Sequence, residues 1–443
     1  MTDESSLERF RTLLRIPTIS RSDESQTDWT QFQRFVDALP VLYPHLHDAL
    51  HLELVDGYSM VYRWSGTTSA DPTVLMAHYD VVAAGDEGWR HPPFAAELVK
   101  SASGDEIWGR GTLDDKGALV AIMEAVEAAV LDGYTPAKDV YLCFGHNEET
   151  AGSGARRIVD LLEGRKIRPG LVLDEGGAVV EDIFPGVSAP AAVVGVSEKG
   201  LMSVALTVAQ VGGHASTPPR LSAPARLARA IVRLGKRPFP ARLGTTNLEM
   251  IRTLGAHARQ PYRFVFTQTR LTRPLLVALF GHLSDETSAM VRTTQVTTEL
   301  SGSLAANAMA ESASATLNVR IAVGSTVEAT LTHLRRAIRD PQVAITALHP
   351  SEPSPVSPTT GMAWETLGSS ITATYPGVVV TPYVMLAASD GRHFTRISDH
   401  VYRFSPFEMS TDERATMHAV NERIRVATFL RGIAFYRTLI GSL

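Results

Sequence analysis

Three short runs, Val74-Leu75-Met76-Ala77, Val140-Tyr141-Leu142-Cys143-Phe144 and Leu171-Val172-Leu173, carry no charged or strongly polar side chain. A strand tolerates such a run only when both of its faces are covered, as in a parallel sheet flanked by helices. Between the first two runs Leu119, Ile122, Val126 and Val130 recur at helical spacing over residues 115–131, and Gly133 is a stop signal. Strand, helix, strand repeated in this order predicts an α/β domain with a mixed, largely parallel sheet. In such sheets ligands gather just beyond the carboxyl ends of the strands.

The pattern changes near Gly200. Val204, Leu206 and Val208 alternate with Ser203, Ala205 and Thr207, as in a half-buried antiparallel strand. A helix over 223–234, a strand over 315–323 and a helix over 326–339 complete a small α+β unit of ferredoxin-like type. Residues 240–299 give mixed signals and find no place in this scheme. The proline-rich stretch 351–358 reads as a connector, after which Val378-Val379-Val380 and a helix over 421–439 return to the first unit. A chain of 443 residues exceeds one compact core. The expected division is therefore 1–197 and 351–443 for the first domain and 198–350 for the insert.

Composition removes several classes of function. A formal charge of -5 offers no electrostatic footprint for nucleic acid. Cys143 is the sole cysteine, which excludes an internal disulfide framework and a cysteine-based zinc site. The opening MTDESSLERF is acidic where a signal peptide needs a basic start, and no run approaches the ~20 apolar residues of a membrane helix. A soluble cytoplasmic enzyme is the expectation, with no membrane partner.

Chemistry concentrates in five separated segments. His78-Tyr79-Asp80 closes an apolar run; two apart on a strand, both side chains point one way, so Asp80 can hold the second nitrogen of His78. Gly109-Arg110-Gly111-Thr112-Leu113-Asp114-Asp115-Lys116-Gly117 precedes the helix. A plain helix cap explains one of its aspartates, but not glycines on both sides, which point to a loop pressed against a site. Gly145-His146-Asn147-Glu148-Glu149 puts adjacent carboxylates after a buried strand, where they need cations or water. A solvated acidic turn is the competing reading there. The last two segments are Leu173-Asp174-Glu175-Gly176-Gly177 and Asp390-Gly391-Arg392-His393-Phe394. Gly152-Ser153-Gly154 lacks the third glycine of a dinucleotide loop, and there is no GxSxG elbow. Histidine and carboxylate donors in this number suit zinc, with cobalt or manganese as substitutes.

In order, LMAHYDVV, WGRGTLDDKGA, GHNEETAGSGA, VLDEGGA, GGHASTPP and SDGRHF resemble the co-catalytic di-zinc metallopeptidases that include aminoacylase, glutamate carboxypeptidase and carnosinase. VYRFSPF and MHAVNERI are most similar to the branch of carboxypeptidase S and the N-acyl-amino-acid amidohydrolases. The resemblance implies a catalytic α/β domain with an inserted dimerisation (lid) domain and two zinc ions per subunit. It makes Asp114 the bridging carboxylate, with His78 and Asp174 on one ion and Glu149 and His393 on the other. Glu148 becomes the general base, Asp80 orients His78, and His214 supports the oxyanion across a homodimer. Asn147 stands where many members have Asp, Asp174 replaces a frequent Glu, and Asn307-Ala308-Met309-Ala310 lacks a customary proline.

The implied reaction is hydrolysis of the amide bond of a peptide or N-acyl amino acid that bears a free carboxylate. Asn307 and Arg320 are the implied carboxylate anchors and Arg392 a rival one, since the arginine fork matches that group. An aminopeptidase or another amide deacylase would use the same metals with a different anchor. A non-catalytic metal-bound binding protein is the alternative from another class, and it would have no use for a free Glu148 beside the ligands.

Overall fold

The computed structural model describes residues 2–85, 87–102, 104–181, 186–303 and 305–443. The chain begins with helices α1 (Asp3–Leu14), α2 (Trp29–Leu42) and α3 (Pro44–Ala49) and strands β1 (His51–Val55), β2 (Ser59–Trp64) and β3 (Thr68–His78). Next come β4 (Glu97–Ser101), β5 (Gly104–Trp108), α4 (Lys116–Leu131), β6 (Lys138–Gly145), α5 (Gly154–Gly164), β7 (Leu171–Val180) and β8 (Ala191–Glu198). The middle holds β9 (Gly200–Ala209), β10 (Gly213–His214), α6 (Ala223–Gly235), α7 (Thr245–Gly255), α8 (Tyr262–Thr267), α9 (Thr269–His282), α10 (Asp285–Met290), β11 (Thr294–Ser301), β12 (Ala308–Met309), β13 (Ser312–Ile321), α11 (Val327–Ile338) and β14 (Ala344–Ser351). It closes with α12 (Met362–Thr374), β15 (Val379–Met385), α13 (Gly391–Phe394), β16 (Val401–Glu408), α14 (Thr411–Arg414), β17 (Arg423–Arg425) and α15 (Val426–Ile440).

The runs that are apolar on both faces become the middle of an eight-stranded sheet, ordered β1-β2-β6-β3-β7-β16-β8-β15. Its centre is parallel: β3 pairs with β6 and with β7, and β7 with β16. Side chains alternate between two cores. Leu75, Ala77, Leu171 and Leu173 face the layer of α1, α2, α4 and α15, while Val74, Met76 and Val172 pack with Ile158, Val159 and Phe394 from α5 and α13. This is the mixed, largely parallel architecture expected from the sequence.

The insert is ferredoxin-like. Strands run β14-β9-β13-β11, all antiparallel, with α6 and α11 packed on one face over Val204, Leu206 and Leu317. The unplaced stretch 240–299 forms α7 to α10. Within the range 198–350 these helices pack on the main sheet rather than on the insert: Met250, Ile251 and Phe280 join Ala191 and Val379 in one core, and α7 lies along β15.

The helix expected over 421–439 starts later, at Val426, because Arg423–Arg425 is drawn into pairing with β5. Among the described residues no helix is long and apolar enough to cross a membrane.

Candidate active site

Three neighbouring parallel strands deliver donors at their carboxyl ends. His78 ends β3, Glu148 and Glu149 follow β6, and Glu175 lies on β7. Asp114 comes from the loop before α4, and His418 from the segment between α14 and β17. Two groups of potential ligands result, His78–Asp114–Glu175 and Asp114–Glu149–His418, each with its donor atoms within 4.8 Å of one another.

Asp114 belongs to both groups. Its Oδ1 lies 3.1 Å from His78 Nε2 and its Oδ2 2.9 Å from His418 Nε2. That is the disposition of a carboxylate that bridges two centres. His78 Nε2 also lies 3.5 Å from Glu175 Oε1, and His418 Nε2 lies 3.0 Å from Glu149 Oε2.

The loop carrying Asp114 is held from below by Glu422. This buried carboxylate pairs with Arg110 (2.6 Å) and accepts the backbone N–H groups of Gly111 (3.1 Å), Leu113 (2.8 Å) and Asp114 (3.3 Å). Two glycines make the loop possible. Gly111 has φ +86°, and a Cβ on Gly117 would sit 2.3 Å from the Thr112 carbonyl oxygen.

Asp80 is fully buried behind the site. The Nδ1 of His78 faces the Asp80 carbonyl oxygen at 3.0 Å and its carboxylate at 3.3 Å. The same carboxylate accepts the N–H of Glu148 (3.1 Å) and of Glu149 (3.2 Å), and the Ser20 hydroxyl (2.6 Å). One side chain thus sets a histidine and both glutamates. Asn147 accepts the N–H of Gly154 at 3.0 Å and so braces the start of α5, away from the donors.

The electrostatics call for cations. Burial, joined by the Glu175, Asp390 and Asp114 charges and opposed by His78, leaves the Glu148 carboxyl well above its ordinary range. Burial and Asp114 push Glu175 up to about 8. Hydrogen bonds to Asp114 and Glu149 raise His418 to about 10. Burial opposes ionisation of Asp114, yet His418 and His78 together hold it far below the usual carboxylate range. Four carboxylates thus converge on two imidazoles, and Glu149 Oε1 is buried with no hydrogen-bond partner among the described residues. Nitrogen and carboxylate donors around an uncompensated buried charge fit two divalent ions of the zinc type.

Two residues expected among the ligands lie elsewhere. Asp174 and Glu175 are consecutive on β7, so they face opposite sides of the sheet and only one can meet Asp114. Asp174 shares the side of Val172, where its carboxylate accepts the Gly391 N–H at 2.5 Å; Glu175 takes the site. His393 sits on α13 against α5, and burial with Arg392, Arg156 and Arg396 brings its pKa down to about 4. His418 occupies the place expected for it. The SDGRHF segment instead forms a buried brace: Ser389 donates to Glu198 (3.1 Å), and Glu198 pairs with the fully buried Arg403 (2.6 Å).

His418 has φ +59°, a conformation few L-residues adopt, and nothing in its immediate neighbourhood in sequence advertises a ligand. MHAVNERI marked the branch, and its Glu422 is what ties that segment to the Asp114 loop.

The remaining expected residues belong to the insert or its border. His214 is exposed on β10, where its Nδ1 accepts the Ser216 hydroxyl at 2.9 Å; it pairs with Ala308 on β12. The exposed Asn307 accepts the Ala215 N–H through its carbonyl at 3.2 Å. Arg320 is half-buried on β13 with Nε 3.3 Å from Asn318 Oδ1. Burial and Arg392 lower its pKa, and burial and Arg320 bring Lys199 down to about 8. The Arg320 charge is thus opposed by that of Arg392 and itself opposes that of Lys199.

Comparison with known proteins gives the family. The model of peptidase family M20/M25/M40 matches residues 74–442. Probable carboxypeptidase S-like 2 of Dictyostelium discoideum is 34% identical over 448 residues, covering 99% of this chain and 85% of that protein. The human N-fatty-acyl-amino acid synthase/hydrolase PM20D1 is 32% identical over 440 residues, covering 98% and 86%. The M20 family metallo-carboxypeptidase Sso-CP2 of Sulfolobus solfataricus has the same fold, with a TM-score of 0.71 at 17% identity over 98% of both chains. With the family pattern spanning nearly its whole length and two ligand groups sharing one aspartate at the sheet's carboxyl edge, this chain belongs to peptidase family M20/M25/M40 and is a metallohydrolase.

Proposed function

We propose that the chain hydrolyses the amide bond of an N-acyl amino acid or peptide whose amine half bears a free carboxylate, with two zinc ions bound per subunit. His78, Asp114 and Glu175 would hold one ion and Asp114, Glu149 and His418 the other. Zinc so bound supplies Lewis-acid polarisation of the scissile carbonyl and a water acidified toward a pKa of about 7.

The side chains divide the remaining work. Glu148 belongs to neither ligand group, and its backbone is fixed by Asp80. It takes the proton of the attacking water and passes it to the leaving nitrogen. Asp80 positions His78 and the Glu148–Glu149 pair. The Arg320, Arg392 and Lys199 group receives the substrate carboxylate, which relieves its mutual repulsion, and Asn307 assists from the insert. Carboxypeptidase S and N-fatty-acyl-amino acid hydrolase are the names that relatives of this chain carry, and both activities suit such an anchor.

His214 stands outside the ligand groups and is exposed, as a residue completed by a second copy would be. Edge strand β11 presents Val296 and Leu300 to solvent, at 58% and 69% exposure, and offers a surface for that copy. A homodimer with His214 stabilising the oxyanion of the facing subunit is therefore part of the proposal.

The observation that carries this reading is Asp114, shared between two ligand groups with the unengaged Glu148 beside it. Its test is incubation of zinc-loaded protein with dipeptides and N-acyl amino acids, with a chelated control and mass spectrometry of the released amino acids. Chelator-sensitive release supports the proposal, as does loss of turnover with retained metal in Glu148→Ala. Turnover retained by Glu148→Ala removes the general-base role, and absence of release with metal bound removes the substrate class.

A further inference from the structure

Beside Glu175 lies a cavity of about 440 Å³, within the ~300–1,000 Å³ span of small-molecule sites. Three larger clefts, of about 610, 650 and 690 Å³, are lined by charged side chains such as Arg63, Asp139, Arg168 and Arg425, and none includes a residue of the ligand groups. The lining of the cavity beside Glu175 is mostly apolar and includes a residue of the ligand groups. One wall is the site itself: Leu113 precedes Asp114, Met417 precedes His418, and Glu175 is shared. The opposite wall comes from the helices of residues 245–290, through Met250, Phe266, Leu279, Phe280 and Met290.

The mouth of this cavity continues outward as apolar surface. Leu279 and Leu283 line it and are 38% and 55% exposed. Leu271 and Leu275 precede them on α9 at helical spacing, 75% and 57% exposed. Water-facing leucines in a continuous ridge are unusual on a soluble protein and mark a site of apolar contact. Besides Glu175, three charged residues line the cavity: the exposed Glu181, and Glu286 and Arg414, which stand 4.0 Å apart and offset one another.

We infer that this cavity receives the aliphatic acyl chain of the substrate, so that helices α7 to α10 set a preference for long acyl groups over acetyl. The inference rests on the amide-hydrolase reading above. The scissile carbonyl lies against the metal ligands, the carboxylate-bearing half faces the cation group, and the acyl chain runs past Glu175 and Leu113 between Met250 and Met290. Leu279 and Leu283 form the outer part of its path.

Two measurements separate the site from the reaction. Binding of dodecanoate and shorter fatty acids to the metal-free protein is followed by calorimetry, where no hydrolysis is involved. Hydrolysis of N-dodecanoyl- and N-acetyl-phenylalanine is followed on the zinc-loaded protein. Affinity should rise by as much as about fourfold per methylene as the chain fills the cavity. Leu279→Asp and Leu283→Gln, at exposed positions where folding is retained, should weaken dodecanoate binding and lower kcat/KM for the dodecanoyl substrate at least tenfold. The acetyl substrate should change less than twofold. Leu271→Asp, on the ridge but outside the cavity, should leave the chain-length preference intact.

Equal loss on both substrates, no loss on the dodecanoyl one, or wild-type binding indifferent to chain length would overturn the inference while leaving the hydrolase reading standing. Leu279-dependent binding of dodecanoate without hydrolysis of any amide would do the reverse.

Discussion

Glu422 Oε1 accepts the backbone N–H of Leu113 at 2.8 Å, and through this contact a residue near the end of the chain fixes the loop that presents Asp114. Glu422 and its partner Arg110 are 0% and 2% exposed. Glu422→Gln leaves the arginine charge buried and unpaired, a change that costs about 3–5 kcal/mol. Denaturant unfolding should report that loss, and metal affinity should fall with it because Asp114 is no longer held.

The two ligand groups make a sharp prediction about stoichiometry. Glu175→Ala or His418→Ala removes one donor from one group and should reduce bound zinc from about two ions per chain to about one. His393→Ala should retain both ions, since His393 faces α5. Asp174→Asn should lower the melting temperature through its contact with Gly391 and leave the metal count unchanged. Metal analysis of the four purified variants decides the assignment.

Asp80 touches no substrate in this arrangement but orders three residues that matter. Asp80→Asn keeps its shape and removes its charge, and should cost about 10–100-fold in metal affinity or activity. The pH profile should also shift, because His78 loses the carboxylate that favours its protonated form. A purely structural role would lower stability and leave the profile in place.

Metal-free protein should become less stable as pH rises from about 5 to about 7. Glu175, with a folded pKa of about 8, stays protonated across this range while the unfolded chain gives up that proton near its ordinary value of about 4.3. His418, held at about 10, stays protonated while an unfolded histidine titrates near 6.5. In both cases the folded state binds more protons, so stability falls as pH rises. Zinc requires the neutral imidazole and the carboxylate, so its binding should release protons and cancel the slope. Melting temperatures with and without chelator, and calorimetry in buffers of different ionisation enthalpy, check both signs.

The cross-subunit role of His214 predicts complementation. His214→Ala and Glu148→Ala should each be inactive alone. Mixed dimers formed after exchange should regain a fraction of wild-type turnover, because one of their two sites then has an intact Glu148 and an intact facing histidine. No recovery despite demonstrated exchange would place His214 outside the reaction.

The alternation of side chains explains what was legible beforehand. Runs such as Val74–Ala77 can only be central strands, and the β9 alternation can only be a sheet with one buried face, so both domains were readable. The segments of His78, Asp80, Asp114 and Glu149 stood out because each ends or follows a strand or precedes a helix. Asp174 against Glu175 was not, because choosing between neighbours on a strand requires knowing which face α13 covers. His418 lies in no regular element and follows from tertiary contact alone. Helices α8 and α9 were obscured by their own surfaces. Leu271 and Leu275 face water while Leu276 and Phe280 face the core, so apolar residues surround α9 and Pro274 lies inside it. Periodicity is weakest where the outer face is itself apolar.

The donors also have an order in time. A ribosome makes a chain from its N-terminal end, so His78, Asp114, Glu149 and Glu175 emerge long before His418 and Glu422. A nascent or truncated product has the residues of one ligand group, without the strut that steadies their loop, and lacks the imidazole that completes the other. A chain cut short before residue 418 thus keeps one complete ligand group and, on the two-zinc proposal above, would hold a single ion.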